Sequence, residues 1–210
     1  MQSYLSVSGQ TVPEKVIEKS RFITTSKHVQ GEEQAKAFIA EISAKYADAT
    51  HNCYAYISDS LGNFPRFSDD NEPQGTAGMP ILEVIKNKKL FETAIVVTRY
   101  FGGIKLGAGG LVRAYSGSAA ENLESAQKVL YENCAESLYT VGYSDVDAAI
   151  RFFTETGASV LSCDYADEVI FTVAVKKSGE EEFNKSLLNR LCGKVKIQKI
   201  KEYFYPFKCS

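Results

Sequence analysis

Hydrophobic and polar positions along this chain follow two periods, and the switches between them mark its elements. ESLYTVGY at 136–143 has strand character. SDVDAAIRFFTETG then repeats Val146, Ala149, Ile150 and Phe153 at helical spacing, with Ser144 and Asp147 in capping-box positions and Gly157 as the stop. ASVLSCDY and EVIFTVAVKK are β-rich runs around a short Ala166-Asp167 connection, which predicts a hairpin. SGEEEFNKSLLNRL places Phe183, Leu187 and Leu191 on one helical face behind Ser178 as cap, with Glu181 at the third position. KVKIQKIKEYFYPF reads as a last strand whose apolar parity changes between Val195/Ile197 and Ile200, predicting a bulge near Gln198-Lys199. The order β-α-β-β-α-β is the ferredoxin-like arrangement.

The first part is also mixed. Residues 14–29 look extended, and GEEQAKAFIAEISAKY follows with Ala35, Phe38, Ile39, Ile42 and Tyr46 on its buried face. HNCYAYIS and residues 63–67 suggest a hairpin turning near Leu61-Gly62, followed by the polar loop SDDNEPQGTAG. Pro80 suits the first turn of a short helix, MPILEVIKNKK. ETAIVVTRYF is a strand that runs through GGIKLGAGG into a small-residue helix, LVRAYSGSAAENLESA. The expected fold class is therefore α+β, in two domains, 1–133 and 134–210, with residues 128–136 as connector.

Composition narrows the possible classes. With 210 residues, 44% hydrophobic, the chain has the makings of packed domains and is neither disordered nor a rod. Its 24 Lys+Arg against 26 Asp+Glu give a net charge of −2, which argues against a generally basic nucleic-acid binder. The balance is even in both parts: 14 basic and 15 acidic residues through Asn133, 10 and 11 from Cys134 onward. Any nucleic-acid contact must use a local patch. Five scattered cysteines without a C-x-x-C pair argue against a disulfide framework or a cysteine-based zinc site and for a reducing compartment. The first residues lack a signal-peptide pattern, and no run reaches the length of a membrane helix, so a cytoplasmic protein without membrane contact is expected.

The segment TRYFGGIKLGAGGLVRAY carries the strongest chemical signal. Its glycines permit close approach of backbone N–H groups beside a helix N-terminus, and Arg99, Lys105 and Arg113 add cations, a setting for an anion such as phosphate. Equally, the glycines serve a tight turn and close helix packing. The spacing is neither a P-loop nor a dinucleotide fingerprint. In PRFSDDNEPQGTAG, Asp69, Asp70 and Glu72 cluster after Arg66. Three carboxylates suit Mg²⁺ or Ca²⁺, although the calcium-loop register is missing. Alternatively they form a structured turn in which one carboxylate pairs with Arg66 or Arg99, joining the acidic and Gly-rich loops into a single surface. His51 and Cys53 share a strand face, which suits a Cys/His nucleophile or, more simply, a buried thiol and a hydrogen-bonded imidazole. His28 stands alone as a structural or surface residue. Lys86, Lys88 and Lys89, and Lys194, Lys196, Lys199 and Lys201 with the aromatic residues after them, suit either RNA contacts or a lysine-protected sheet edge.

KSRFI at 19–23, HNCYAY at 51–56, RFSDDNEPQGTAGMPIL at 66–82 and VVTRYFGGIKLGAGGLVRAY at 96–115 together resemble the IMPACT family, in its bacterial YigZ-type branch. The resemblance covers about residues 1–130, and the C-terminal part resembles the domain that accompanies it in bacterial members. It implies a ribosomal protein S5 domain 2-like fold followed by a ferredoxin-like domain, a domain order similar to the fourth and fifth domains of translation elongation factor G. Eukaryotic members regulate translation through a partner protein. For bacterial members the resemblance suggests association with nucleic acid or the ribosome. It transfers no catalytic residue, metal or cofactor. It places Arg99, Gly102, Gly103, Lys105, Gly107 and Arg113, with Arg66, Asp69, Asp70 and Glu72 opposite, in the family's signature surface.

The expectation from sequence is a non-enzymatic, translation-linked protein that binds RNA or the ribosome through Arg99, Lys105, Arg113 and the Gly-rich loop. A metal-dependent enzyme acting on a phosphate- or carboxylate-bearing substrate, and a protein-interaction module, are the alternatives.

Overall fold

In a computed structural model, which describes residues 3–8 and 14–207, the chain divides into two units, Tyr4–Val129 and one beginning at Leu130. The first contains β1 (Tyr4–Val7), β2 (Glu14–Ile17), β3 (Ser20–His28), α1 (Gly31–Lys45), β4 (His51–Ile57), β5 (Pro65–Ser68), α2 (Gly78–Asn87), β6 (Thr93–Tyr100) and α3 (Gly107–Ser125). Strands β2-β3-β6-β4-β5 form a sheet in which every neighbouring pair is antiparallel.

Strand alternation divides the apolar side chains of β4 and β6 between two cores. Tyr56, Ala94 and Val96 pack with Phe38 and Ile42 of α1, while Cys53, Ala55, Ile95 and Val97 pack with Ile81 and Ile85 of α2 and Leu111, Tyr115 and Leu123 of α3. This is why AIVV in β6 is a continuous apolar run: both of its faces carry helices. Ala114 and Ala119 bring α3 close to the sheet, where Asn122 Nδ2 donates to the Thr24 carbonyl at 3.0 Å. Burying a ring such as Phe22, fully inaccessible here, stabilises by about 1.5–3 kcal/mol.

The second unit has strand order β8-β9-β7-β10, built from β7 (Lys128–Val141), which begins just before the unit boundary, β8 (Ser159–Tyr165), β9 (Val169–Lys176) and β10 (Val195–Phe207). The helices α4 (Val146–Thr156) and α5 (Glu180–Arg190) pack through Phe153, Phe183 and Leu187 onto Tyr139, Phe171 and Val173. Two β-α-β crossovers around an antiparallel sheet give the ferredoxin-like fold, so the α+β class is as expected, while the units divide at Val129/Leu130 where 133/134 was expected.

Local differences have physical reasons. Residues 128–136, expected as a connector, are strand, because they pair with β9 and β10. The bulge in β10 falls between Lys199 and Lys201, beyond the expected Gln198-Lys199, and leaves Ile200 unpaired and 47% exposed. Ser144 and Ser178 do not cap: each lies in a short 3-10 turn, Tyr143–Asp145 or Lys177–Gly179, ahead of its helix, and Ser144 Oγ turns to Asp145 instead. On α4 the buried partner of Phe153 is Phe152, while Ile150 is exposed. Gly157 ends α4 at φ +67°, as anticipated. The helix expected from Leu111 starts at Gly107, making part of the Gly-rich segment its first turn. Cys209 lies outside the described residues.

Candidate anion-binding cleft

Register places the centre of the site. On the α2/α3 face, Arg99 of β6 is paired with Phe22 of β3 on one side and with His51 of β4 on the other, so the three form a row across the sheet. The loop after β5 supplies the next member. Asp69 accepts from the N–H groups of Gly75 (2.8 Å), Ala77 (3.0 Å) and Gly78 (2.8 Å), tying the loop into a closed turn. Asp70 Oδ2 accepts from Asn52 N–H at 2.5 Å. Positive φ at Asp70 (41°) and Asn71 (66°) then reverses the chain and delivers Glu72 over the row.

Glu72 is the hub. Its Oε1 accepts from Arg99 Nη1 at 2.6 Å and from Tyr115 OH at 2.8 Å, and His51 Nε2 stands 3.8 Å away. The Arg99 and Glu72 side chains are 5% and 4% exposed, so this is a buried ion pair. Arg99 Nη2 donates to Ser20 Oγ at 3.2 Å, and its Nε has no partner. The guanidinium lies over the buried Phe22 ring at 5.5 Å and near the exposed Phe101 ring at 5.4 Å. Cys53 is fully buried, with its thiol directed at the Asp69 carbonyl (3.0 Å) and Tyr115 OH (3.4 Å). Burial, the nearby Tyr115 hydroxyl notwithstanding, pushes the Cys53 thiol up, and burial with Cys53 and Glu72 alongside does the same to the Tyr115 phenol. Cys53 therefore stays a neutral core thiol rather than a nucleophile.

A cleft of about 400 Å³ opens over this row between His51, Glu72, Arg99, Phe101, Lys105 and the start of α3 at Gly107 and Ala108. Helix α3 has no side-chain cap, so its first N–H groups remain available there. Among the described residues Lys105 is exposed and has no carboxylate partner. Phe101 N–H donates to Thr50 Oγ1 at 3.0 Å, fixing the backbone from which the ring projects.

The acidic and Gly-rich loops thus meet, through Glu72 and Arg99. Not every expected residue joins them. Arg66 is paired in register with Tyr56, on the α1 face of the sheet, where its Nη1 bonds the Pro65 carbonyl. Arg113 is exposed beside Gly109 and does not line the cleft. Gly102 serves packing: its N–H bonds Ser20 Oγ at 3.2 Å, and a Cβ there would sit 2.0 Å from the Lys19 carbonyl. Gly103 and Gly107 hold φ of +85° and +69°, the left-handed region. Asp69, Asp70 and Glu72 each face a different donor, and among the described residues no group of three His, Cys, Asp or Glu is placed to hold a metal ion. The reading of this loop as a structured turn is the one its geometry matches. Phe101, Tyr115 and Ser20 are participants that spacing alone does not single out, although Phe101 has the strand parity of Arg99.

The lysines of β10 are largely compensated. Lys196 meets Glu168 (2.9 Å), Lys201 meets Glu136 (3.6 Å), and Lys199 meets Glu202 (2.5 Å) and Glu180 (3.1 Å), which Lys177 also contacts. Tyr203, Tyr205 and Phe207 pack on Cys134. Lys86 and Lys88 pair with Glu83 and Glu124. His28, far from this cleft, bonds Ser6 Oγ at 3.1 Å beside the buried Glu92.

Fold and site define an α+β protein of two units whose first carries a cleft floored by a buried ion pair. Residues 18–123 match the Impact N-terminal domain, and residues 140–194 match a domain of unknown function, DUF1949. The chain belongs to the IMPACT family. It is 32% identical to the IMPACT family member YigZ of Escherichia coli over 204 residues, covering 96% of this chain and 100% of the relative. An IMPACT family member of Haemophilus influenzae is 33% identical over 94% of this chain and 97% of its own length. YvyE of Bacillus subtilis is 50% identical over 123 residues, 59% of this chain and 57% of the relative. A crystal structure described as that of an hypothetical protein matches with a TM-score of 0.62 and 32% identity, over 96% of this chain and 98% of that one. Among the described residues no helix is long and apolar enough to cross a membrane.

Proposed function

We propose that this protein is a translation-linked regulatory protein that binds RNA, on the ribosome or free, through the cleft at Phe101 and Lys105. The observation that carries the reading is the stack Phe22–Arg99–Phe101, whose outer ring is 45% exposed at the mouth of a cleft containing an unpaired lysine and uncapped helix N–H groups. An unpaired base laid on Phe101 extends that stack, and its phosphate reaches Lys105 and the start of α3. Arg99 supports this surface from beneath rather than meeting the phosphate, since Glu72 already neutralises it. With Lys105 as the main free cation of the cleft, affinity is modest and the salt dependence shallow. Membership of the IMPACT family is consistent with a role in translation.

Co-sedimentation with ribosomal subunits, with and without nuclease, tests the reading. RNA-mediated binding predicts that nuclease releases the protein from RNA outside the folded subunits and that raising salt to about 0.5 M, which roughly halves the Debye length from about 8 Å, weakens the remainder. Recovery of a specific protein partner that survives nuclease and salt would instead support an interaction module.

A further inference from the structure

We propose that His51 makes this cleft a metal-free RNA-cleaving site, an inference that rests on the RNA-binding reading above. A carbonyl oxygen only accepts, so the 2.8 Å contact between His51 Nδ1 and the Asp70 carbonyl puts the proton of the neutral ring on Nδ1. Nε2 then carries the lone pair, 3.8 Å from Glu72 Oε1 at the cleft wall, with the ring 16% exposed. The ring is held from both sides of the chain: by its register opposite Arg99 and by the loop that Asp69 closes. That is the geometry of a positioned base. Glu72 Oε1, shared with Arg99 and Tyr115, stands 3.8 Å from the nitrogen that takes up the proton. Lys105 lines the same cleft as a proton donor, and Arg99, 95% buried, has its Nε without a partner.

The reaction these groups serve needs no co-reactant. An RNA 2′-hydroxyl gives its proton to His51 Nε2 as its oxygen bonds to the adjacent phosphorus. The P–O5′ bond breaks, and the departing O5′ takes a proton from Lys105 Nζ. The products are a 2′,3′-cyclic phosphate and a 5′-hydroxyl, and water returns the proton from His51 to the lysine. The base is stacked on Phe101, so an unpaired nucleotide is the substrate, and DNA, which has no 2′-hydroxyl, is held but not cut.

The test uses the full chain, a 5′-labelled single-stranded RNA at saturating concentration, the matching DNA and a chelator throughout. The His51→Asn change keeps a donor for the Asp70 carbonyl and removes Nε2. Wild type is expected to release fragments ending in cyclic phosphate. His51→Asn is expected to cut about 10²- to 10⁴-fold more slowly with RNA affinity retained. Lys105→Ala, on the surface and outside the core, is expected to slow cutting as well, which keeps the test decisive if His51→Asn fails to fold. RNA that is bound and stays whole overturns the cleavage inference and leaves the binding reading standing. RNA that is not bound overturns both. Cutting that persists in either variant, or cutting of the DNA, also overturns the assignment.

Discussion

Arg99 is the residue whose replacement separates support from contact. Its guanidinium is 5% exposed and donates to Glu72 at 2.6 Å and Ser20 at 3.2 Å. Changing Arg99 to methionine preserves much of the packing against Phe22 and leaves the Glu72 carboxylate, 4% exposed, with Tyr115 as its remaining close donor. Breaking a buried pair from one side costs about 3–5 kcal/mol, a large share of a domain stability of roughly 5–15 kcal/mol. With an m-value of about 2 kcal/mol/M, the urea midpoint of the first unit should fall by about 2 M. Far-UV circular dichroism of the unfolding transition measures this. A second change, Glu72→Gln, removes the stranded charge while keeping an acceptor for Tyr115. The double variant Arg99→Met/Glu72→Gln should therefore recover more than half of the loss. A single Arg99→Met variant that keeps its urea midpoint and loses RNA binding would refute the reasoning, because Arg99 would then be a ligand contact.

Further outcomes follow from other positions. Gly102→Ala drives a Cβ to 2.0 Å from Lys19 backbone atoms and should cost about 3 kcal/mol, whereas Gly103→Ala, at φ +85° with open space, should cost about 1–2 kcal/mol; urea unfolding compares them. Titrating Mg²⁺ or Ca²⁺ should leave the thermal midpoint unmoved, since Asp69, Asp70 and Glu72 serve separate protein donors; calorimetry detects any shift. In the second unit, hydrogen bonds from Lys177 and Lys199 hold the Glu202 carboxyl at about 2 against an ordinary value of 4.5. A depressed carboxyl stabilises fully above its unfolded value and loses that contribution as pH falls through 4.5 toward 2, so Glu202→Gln should flatten the acid limb of the pH–stability curve.

Elements with strong periodicity were legible from residues alone. The α5 face of Phe183, Leu187 and Leu191 is buried as its spacing predicts, and the parity change around Ile200 does mark a bulge. Boundaries were less so. Ser144 and Ser178 have the chemistry of caps, but each helix is entered through a 3-10 turn that the pattern does not encode. The meeting of the acidic and Gly-rich loops was readable as a charge complement, and Glu72 with Arg99 realises it. The fate of the other charges was not. Whether Arg66 joins the cleft depends on which face of a short edge strand it occupies, and Arg113 on the rotation of α3, which starts four residues earlier than the small-residue pattern suggests. Lysines on β10 looked available because their partners, Glu136, Glu168 and Glu180, come from other elements. Phe101 escaped notice since a lone aromatic after a strand is ordinary until Arg99 is seen beneath it.

The most direct test is fluorescence anisotropy of a labelled single-stranded RNA against wild type and a Phe101→Ala/Lys105→Ala variant across a salt series. The cleft reading predicts that the variant folds normally, loses about 1–3 kcal/mol of binding from the ring alone, and has a log-affinity against log-salt slope lower by about one. Equal binding by both proteins at low salt would contradict it.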